Sequence, residues 1–136
     1  MKVTIDNHPP TLEEFITLRA KVGWGDTPLQ LAKSALDNSF YHVVARNDDT
    51  LIGMARIVGD GAMFFYIQDL AVEPEYQNKG IGNLLMKRLE SYLSTVASTG
   101  ATIGLLSAKG QEDFYSRYGY VGRTGSPLGL GMCKFV

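Results

Sequence analysis

Residues 77–83 have the types and spacing of an anion-binding turn. They run QNKGIGN, and Gly80 and Gly82 stand at the start of a strongly amphipathic stretch. The first N–H groups of a helix have no partner inside the helix, and the helix dipole adds partial positive charge there, so a pyrophosphate is favoured at that end. Glycines let the backbone approach such a ligand and adopt positive φ. A bare GxG more often makes only a tight connection, so the surrounding pattern has to decide.

Two common phosphate-binding motifs do not fit this turn. A P-loop requires GxxxxGK[ST], and no lysine followed by a hydroxyl residue comes after Gly82. A dinucleotide-binding fingerprint requires a third glycine where this chain has Leu85. What remains is Gln77-x-x-Gly80-x-Gly82 after an apolar strand that ends in LAVEPEY.

Asp69 is the acidic residue that could act on a substrate. Alternation along a strand would place it on the same face as Ile67 and Ala71, as a polar residue on an apolar face. A buried carboxylate needs a partner, which could be an ion pair with Arg56 or the ammonium group of a substrate. The sequence leaves both alternatives open.

Composition sets the broad class of the protein. A chain of 136 residues, 45% of them hydrophobic and 20% charged, predicts one globular domain over residues 1–136. A net charge of -1 gives no field that would attract nucleic acid or anionic lipid. The start lacks the apolar segment of a signal peptide and no apolar run reaches ~20 residues, so we expect a cytoplasmic protein without a membrane partner. One cysteine and two histidines predict no disulfide and no metal site.

The order of predicted elements indicates an α+β or mixed α/β fold. Helices are predicted at 12–22, where Thr11 and Glu14 form a capping box, and at 29–36. A meander of three strands follows at 40–45, 51–58 and 62–72, the last of which should be central. An amphipathic helix then runs from Ile81 to near Gly100. A strand at 102–107, a helix at 111–118 and a last strand at 130–136 complete the prediction.

With these elements around it, QNKGIG resembles the acyl-CoA motif [Q/R]-x-x-G-x-[G/A] of the GCN5-related N-acetyltransferase (GNAT) family. The segment FYSRYGY at 114–120 resembles a second signature of that family, FYxxxGF. The resemblance covers almost the whole chain. It implies a GNAT-like fold with a central, mostly antiparallel twisted sheet flanked by helices.

The resemblance also implies roles for particular residues. The backbone of Leu70, Ala71 and Val72 would meet the acyl carbonyl and the pantetheine amides. Tyr115 would protonate the departing thiolate, and Trp24 would line the acceptor pocket. The residues that would hold the pyrophosphate are Gln77, Asn78, Lys79, Gly80, Ile81, Gly82 and Asn83. The family often has an asparagine seven residues before its tyrosine, where this chain has Ala108.

The function implied is transfer of an acetyl group from acetyl-CoA to a primary amine by direct attack, with no metal. A small-molecule acceptor is favoured because a nearly neutral chain of this size offers no evident surface for a long polymer. Two alternatives stay open: a protein-lysine acetyltransferase, and a non-catalytic acyl-CoA sensor on the same fold. A homodimer is compatible with either.

Overall fold

The computed structural model describes residues 2–136, which divide into one compact unit that ends at Leu105 and a second at Leu106–Val136. The single domain predicted from composition stays a prediction. The elements of the first unit are β1 (Val3–Asp6), α1 (Leu12–Lys21), α2 (Leu29–Asp37), β2 (Tyr41–Asn47), β3 (Thr50–Gly59), β4 (Phe64–Val72), a 3-10 turn (Pro74–Tyr76), α3 (Ile81–Val96) and β5 (Thr102–Leu105). The second unit contains α4 (Glu112–Ser116).

The five strands form one sheet in the order β1-β2-β3-β4-β5. All neighbours are antiparallel except β4 and β5, which are parallel. A parallel pair needs a crossover, and α3 lies within the segment that connects these two strands. The predicted mixed fold with a mostly antiparallel sheet is confirmed, and β4 lies between two other strands as predicted.

Helices pack on both faces of the sheet. Residues of α1, α2 and three strands form a core on one face: Phe15, Leu18, Ala32, Val44, Met54 and Ala71. On the other face α3 contacts β2, β3 and β4 through its buried side chains, which are Ile81, Leu85, Met86, Leu89 and Leu93. Gly53 of β3 lies beneath α3, where an added Cβ would stand 3.1 Å from Leu85 Cδ1. The missing side chain therefore lets the helix approach the sheet closely.

A β-bulge interrupts β4 at Asp69. Met54 pairs with Ala71 and Arg56 pairs with Gln68, so one residue of β3 stands opposite two residues of β4. Asp69 has φ +58°, a conformation that bulges accommodate. Gln68 and Ala71 therefore lie on one face although they are three residues apart. The prediction that Ile67 shares the face of Ala71 is wrong, because the extra residue breaks the alternation.

The second unit has less regular structure than predicted. The helix at 111–118 shortens to Glu112–Ser116, and residues 121–136 form no helix or strand and are exposed. The predicted strand at 130–136 is wrong: within residues 2–136, no strand pairs with this segment, and an apolar composition alone does not supply the hydrogen bonds of a ladder. In the same described range, no helix has the length and apolarity needed to cross a bilayer.

Candidate active site

The loop between β4 and α3 has a defined backbone shape. Glu73 N donates to Ile52 O at 2.8 Å, which fixes the end of β4 against β3. The Glu73 carboxylate then accepts from Glu75 N at 2.9 Å and caps the 3-10 turn. Asn78 and Gly80 both have left-handed backbone conformations, with φ of +62° and +83°. Two left-handed residues so close together turn the chain sharply into α3.

The side chain of Gln77 holds this loop to the strand. Gln77 Nε2 donates to Val72 O at 3.0 Å, across five residues of chain. Lys79, two residues later, is exposed, and its Nζ lies 5.6 Å from the centre of the Tyr76 ring. Glutamine at the first position of the motif therefore has a structural reason in this chain, because its amide closes the loop.

The start of α3 is suited to an anion. Its N-cap is Gly80, and in the described chain neither a capping side chain nor an acidic residue occupies its first turn. An added Cβ at Gly80 would meet nothing within 4 Å, so the space beside it is open. Gly82 lies inside the helix and does not have positive φ. Backbone conformation therefore does not account for the second glycine, and its place beside a ligand stays a prediction.

The bulge places backbone groups of β4 outside the regular ladder. Asp69 and Leu70 together stand opposite Ala55, and the extra residue of a bulge leaves its backbone polar groups unpaired with the neighbouring strand. These residues directly precede Ala71 and Val72, at the end of the strand that leads into the loop. Leu70, Ala71, Val72 and the loop therefore form one continuous edge of candidate main-chain contacts.

Asp69 is buried in a cluster of charged side chains. Its side chain is 1% exposed and forms ion pairs with Arg19 and Arg56. Arg56 Nε donates to Asp69 Oδ2 at 2.7 Å, and Gln68 Nε2 and Arg19 Nη1 both donate to Oδ1. The ion pair with Arg56 considered from the sequence is present. These three hydrogen bonds occupy three of the roughly four acceptor positions of the carboxylate. A contact of Asp69 with a substrate ammonium stays a prediction.

Arg19 is the residue of this cluster that the sequence reasoning missed. It lies four residues after the buried Phe15 on α1, so helical periodicity places it on the inward face, and this spacing could have revealed it. Its guanidinium also lies 5.3 Å from the centre of the Trp24 ring, and its Nε donates to Thr27 Oγ1 at 3.1 Å. Arg19 thereby brings the predicted pocket residue Trp24 next to the cluster at Asp69.

The pKa values of two side chains near this cluster, His42 and Glu14, are lowered. Burial lowers the pKa of His42, and the neighbouring Arg56 charge lowers it further, while a contact with Leu36 O opposes the shift. The hydrogen bonds from Arg46, at 2.7 and 2.9 Å, lower the pKa of Glu14 from 4.5 to about 2. His42 is therefore neutral and Glu14 ionised at neutral pH.

Tyr115 lies in the second unit, on α4. Its ring is 5.2 Å from that of Phe114, and Phe114 also contacts Tyr118 at 5.6 Å. The turn that follows α4 is closed by Tyr118 N and Tyr120 N, which donate to Tyr115 O, and by Gly119 with φ +91°. The segment FYSRYGY thus forms a compact aromatic turn, which gives each of its conspicuous residues a local structural role.

Comparisons with known proteins agree with the geometry. The family model described as an acetyltransferase (GNAT) domain matches residues 26–130. A Prochlorococcus marinus protein named "Uncharacterized N-acetyltransferase ycf52-like" is 34% identical over 114 residues, which are 80% of this chain and 62% of that protein. The chloroplastic GCN5-related N-acetyltransferase 2 of Arabidopsis thaliana is 32% identical over 74% of this chain and 46% of its own length. The chain thus spans less than two thirds of these relatives.

Solved structures show the same fold over the full length. A Staphylococcus aureus protein described as "Probable Acetyltransferase" superposes with a TM-score of 0.91 and 28% identity, covering 99% of this chain and 100% of that one. The GNAT family protein SP0256 of Streptococcus pneumoniae gives a TM-score of 0.77, also at 28% identity, over 99% and 98%. The loop geometry, the match over most of the chain and these structures together show that this chain belongs to the GNAT family of acetyltransferases.

Proposed function

We propose that the protein transfers an acetyl group from acetyl-CoA to a primary amine of a small molecule. The observation that carries this proposal is the open, uncapped start of α3 behind a glycine turn, at the end of a bulged strand, in a GNAT chain. A coenzyme A pyrophosphate fits such a site because helix N–H groups and loop amides are directed at it. The relatives named N-acetyltransferases support the amine as acceptor.

Main-chain groups supply most of the proposed contacts to the donor. The backbone from Gln77 to Asn83 would surround the pyrophosphate, with Lys79 free to reach a phosphate from the exposed side of the loop. The backbone of Leu70, Ala71 and Val72 would hold the pantetheine arm and the acyl carbonyl. A backbone N–H released by the bulge is suited to the oxyanion that develops on this carbonyl.

The proposed reaction is direct attack without an acyl-enzyme. The amine nitrogen forms a bond to the thioester carbonyl carbon, the carbon–sulfur bond breaks, and the nitrogen loses a proton. The amine must be neutral to attack, so the chain has to accept it unprotonated or allow a proton to leave to water. We propose Tyr115 as the proton donor to the departing thiolate, which the FYSRYGY segment supports.

Ligand-dependent stability tests donor binding. Because a ligand that binds only the folded state stabilises it, acetyl-CoA should raise the thermal midpoint more than the same concentration of ATP. Gly82→Ile should abolish this rise, since a branched side chain would occupy the approach to the helix N-terminus. Gly104→Ile, in β5 with nothing within 4 Å of an added Cβ, is the matched control and should keep it. Equal shifts with acetyl-CoA and ATP would remove the main support for the proposal.

Turnover distinguishes the enzyme from its alternatives. Release of coenzyme A in the presence of small amines, and not of lysine-containing peptides, is the expected result. Preference for peptides would favour a protein-lysine acetyltransferase, and tight acetyl-CoA binding without release of coenzyme A on any amine would favour a sensor.

The cytoplasmic location stays a prediction, because one relative is named as chloroplastic.

A further inference from the structure

The cluster around Asp69 contains more positive than negative charge. Arg19 and Arg56 both pair with Asp69, and among residues 2–136 neither has another acidic side chain within ion-pair distance. The two arginine side chains are 22% and 15% exposed, so both are partly removed from water. Two partly buried cations share a single counter-ion, and the cluster therefore favours one further negative charge.

Arg19 is the more exposed of the two arginines. Its Nε is bound to Thr27 Oγ1 and its Nη1 to Asp69, so the plane of the guanidinium is fixed. In the described part of the chain, no acceptor is hydrogen-bonded to its Nη2. Arg56 differs, because its Nη1 donates to Ser39 Oγ at 3.1 Å and points toward the α2 side. Beside Arg19, the residue Trp24 is 38% exposed.

We propose that Arg19, with Trp24 beside it, binds a carboxylate of the acceptor, and that the acceptor class is therefore amino acids and close analogues that carry an amine near a carboxylate. This inference rests on the proposed function. Asp69 immediately precedes Leu70, and adjacent residues are about 4 Å apart along the chain. A carboxylate held at Arg19 would leave an amine two or three bonds away near the main-chain edge that meets the acyl carbonyl.

The charge and shape of the cluster favour a carboxylate over other anions. One excess positive charge balances one carboxylate, whereas a phosphate monoester carries close to two negative charges at neutral pH. A fixed guanidinium edge matches the planar carboxylate group, which accepts two parallel hydrogen bonds. The exposed indole offers an apolar surface to the carbon skeleton that joins the two polar groups.

Matched amines test the inference on the wild-type protein. Glycine, alanine and phenylalanine are compared with their amides as acceptors, with rates expressed per concentration of neutral amine because the amides are less basic. Since a hydrogen bond to a charged group contributes on the order of 1.5–3 kcal/mol, kcat/KM should be about 10- to 100-fold higher for the acids. Turnover with equal or better use of the amides would overturn the inference and leave the acetyltransferase proposal intact.

Trp24 provides a readout that needs no turnover. It is the only tryptophan in the chain, so its fluorescence reports on this cluster alone. N-acetylglycine and N-acetylalanine should change the fluorescence saturably, and their amides should not. Arg19→Gln should abolish the response, whereas Lys2→Gln, which removes the same charge at the β1 edge of the sheet, should keep it.

The outcomes separate this inference from the proposed function. Saturable carboxylate binding in a protein that transfers no acetyl group would support the site at Arg19 and refute the activity. If Arg19→Gln does not fold, Arg19→Lys retains the charge and should bind the acetylated acids at least tenfold more weakly, because an ammonium lacks the planar edge. No response of wild-type Trp24 to the acids, or equal responses to acids and amides, would overturn the site.

Discussion

Replacing Asp69 by asparagine should destabilise the fold, because it leaves two guanidinium groups without their counter-ion. Asp69 is the partner of Arg19 and Arg56, and its side chain is 1% exposed. Removing one member of a buried charge pair typically costs about 3–5 kcal/mol. The low end applies, since both arginines retain some contact with water, Arg19 keeps its bond to Thr27 and Arg56 keeps its bond to Ser39. We therefore expect a loss of about 3 kcal/mol.

Urea unfolding at pH 7 measures this loss directly. For a chain of this size, about 3 kcal/mol corresponds to a fall of about 10 °C in the thermal midpoint. Asp37→Asn is the matched control: it makes the same chemical change in an exposed pair with Lys33 on α2, and it should leave the midpoint close to that of the parent. The slope of free energy against urea should be the same in all three proteins.

Other results would refute a stabilising role for Asp69. If Asp69→Asn unfolds like the parent, the ion-pair cluster does not contribute to stability. If it also raises the KM for the amine while donor binding is unchanged, Asp69 meets the substrate ammonium instead. Parent stability together with parent kinetics would remove Asp69 from both roles.

Three further predictions follow from other elements. Tyr115→Phe should bind acetyl-CoA normally and lower kcat by about 100-fold, the low end for general acid catalysis, because a thiolate leaves moderately well unaided; parent rates from pH 6 to 10 would exclude the role. Glu14→Gln should keep the capping box yet lose about 2 kcal/mol at pH 7 in urea unfolding. Because the folded pKa of Glu14 is lowered to about 2, its contribution to the free energy of unfolding is complete above pH 4.5 and is lost as the pH falls toward 2. The same dependence of stability on pH in the parent and the variant would contradict this. Gly53→Ala should cost about 1 kcal/mol by crowding Leu85 and Ile81, and Gly104→Ala should cost less; equal midpoints would refute the close packing.

The parts of the fold that follow from local patterns were predictable. Hydrophobic periodicity predicted α3, the capping box fixed the start of α1, and turn residues separated the strands of the meander. The glycine turn was predictable for the same reason, because nearby residues determine its backbone shape. The prediction of a strand at 130–136 was wrong because a strand needs a partner to hydrogen-bond with, and the sequence of the segment alone does not show whether it has one.

The cluster at Asp69 was only half predictable. Its partner Arg56 lies on the neighbouring strand, so the pairing of the two strands predicts their contact. Arg19 comes from a helix 50 residues earlier in the chain, and no strand pairing predicts that contact. The bulge that turns Asp69 toward both arginines has no signature in FYIQDLAV, since no glycine or proline occurs there. Long-range packing decided both features.

The bulge makes the length of β4 as important as its composition. Gln68 and Ala71 share a face only because the bulge adds one residue to β4 between them. Deleting Leu70 would restore regular pairing and leave both faces as they are, because Gln68 and Ala71 would then stand two residues apart and still share a face. Phe65 would stay buried against Phe40, and Phe64 would stay exposed. A deletion at the bulge would therefore remove the bulge alone, whereas a deletion elsewhere in β4 would turn the residues on one side of it to the opposite face.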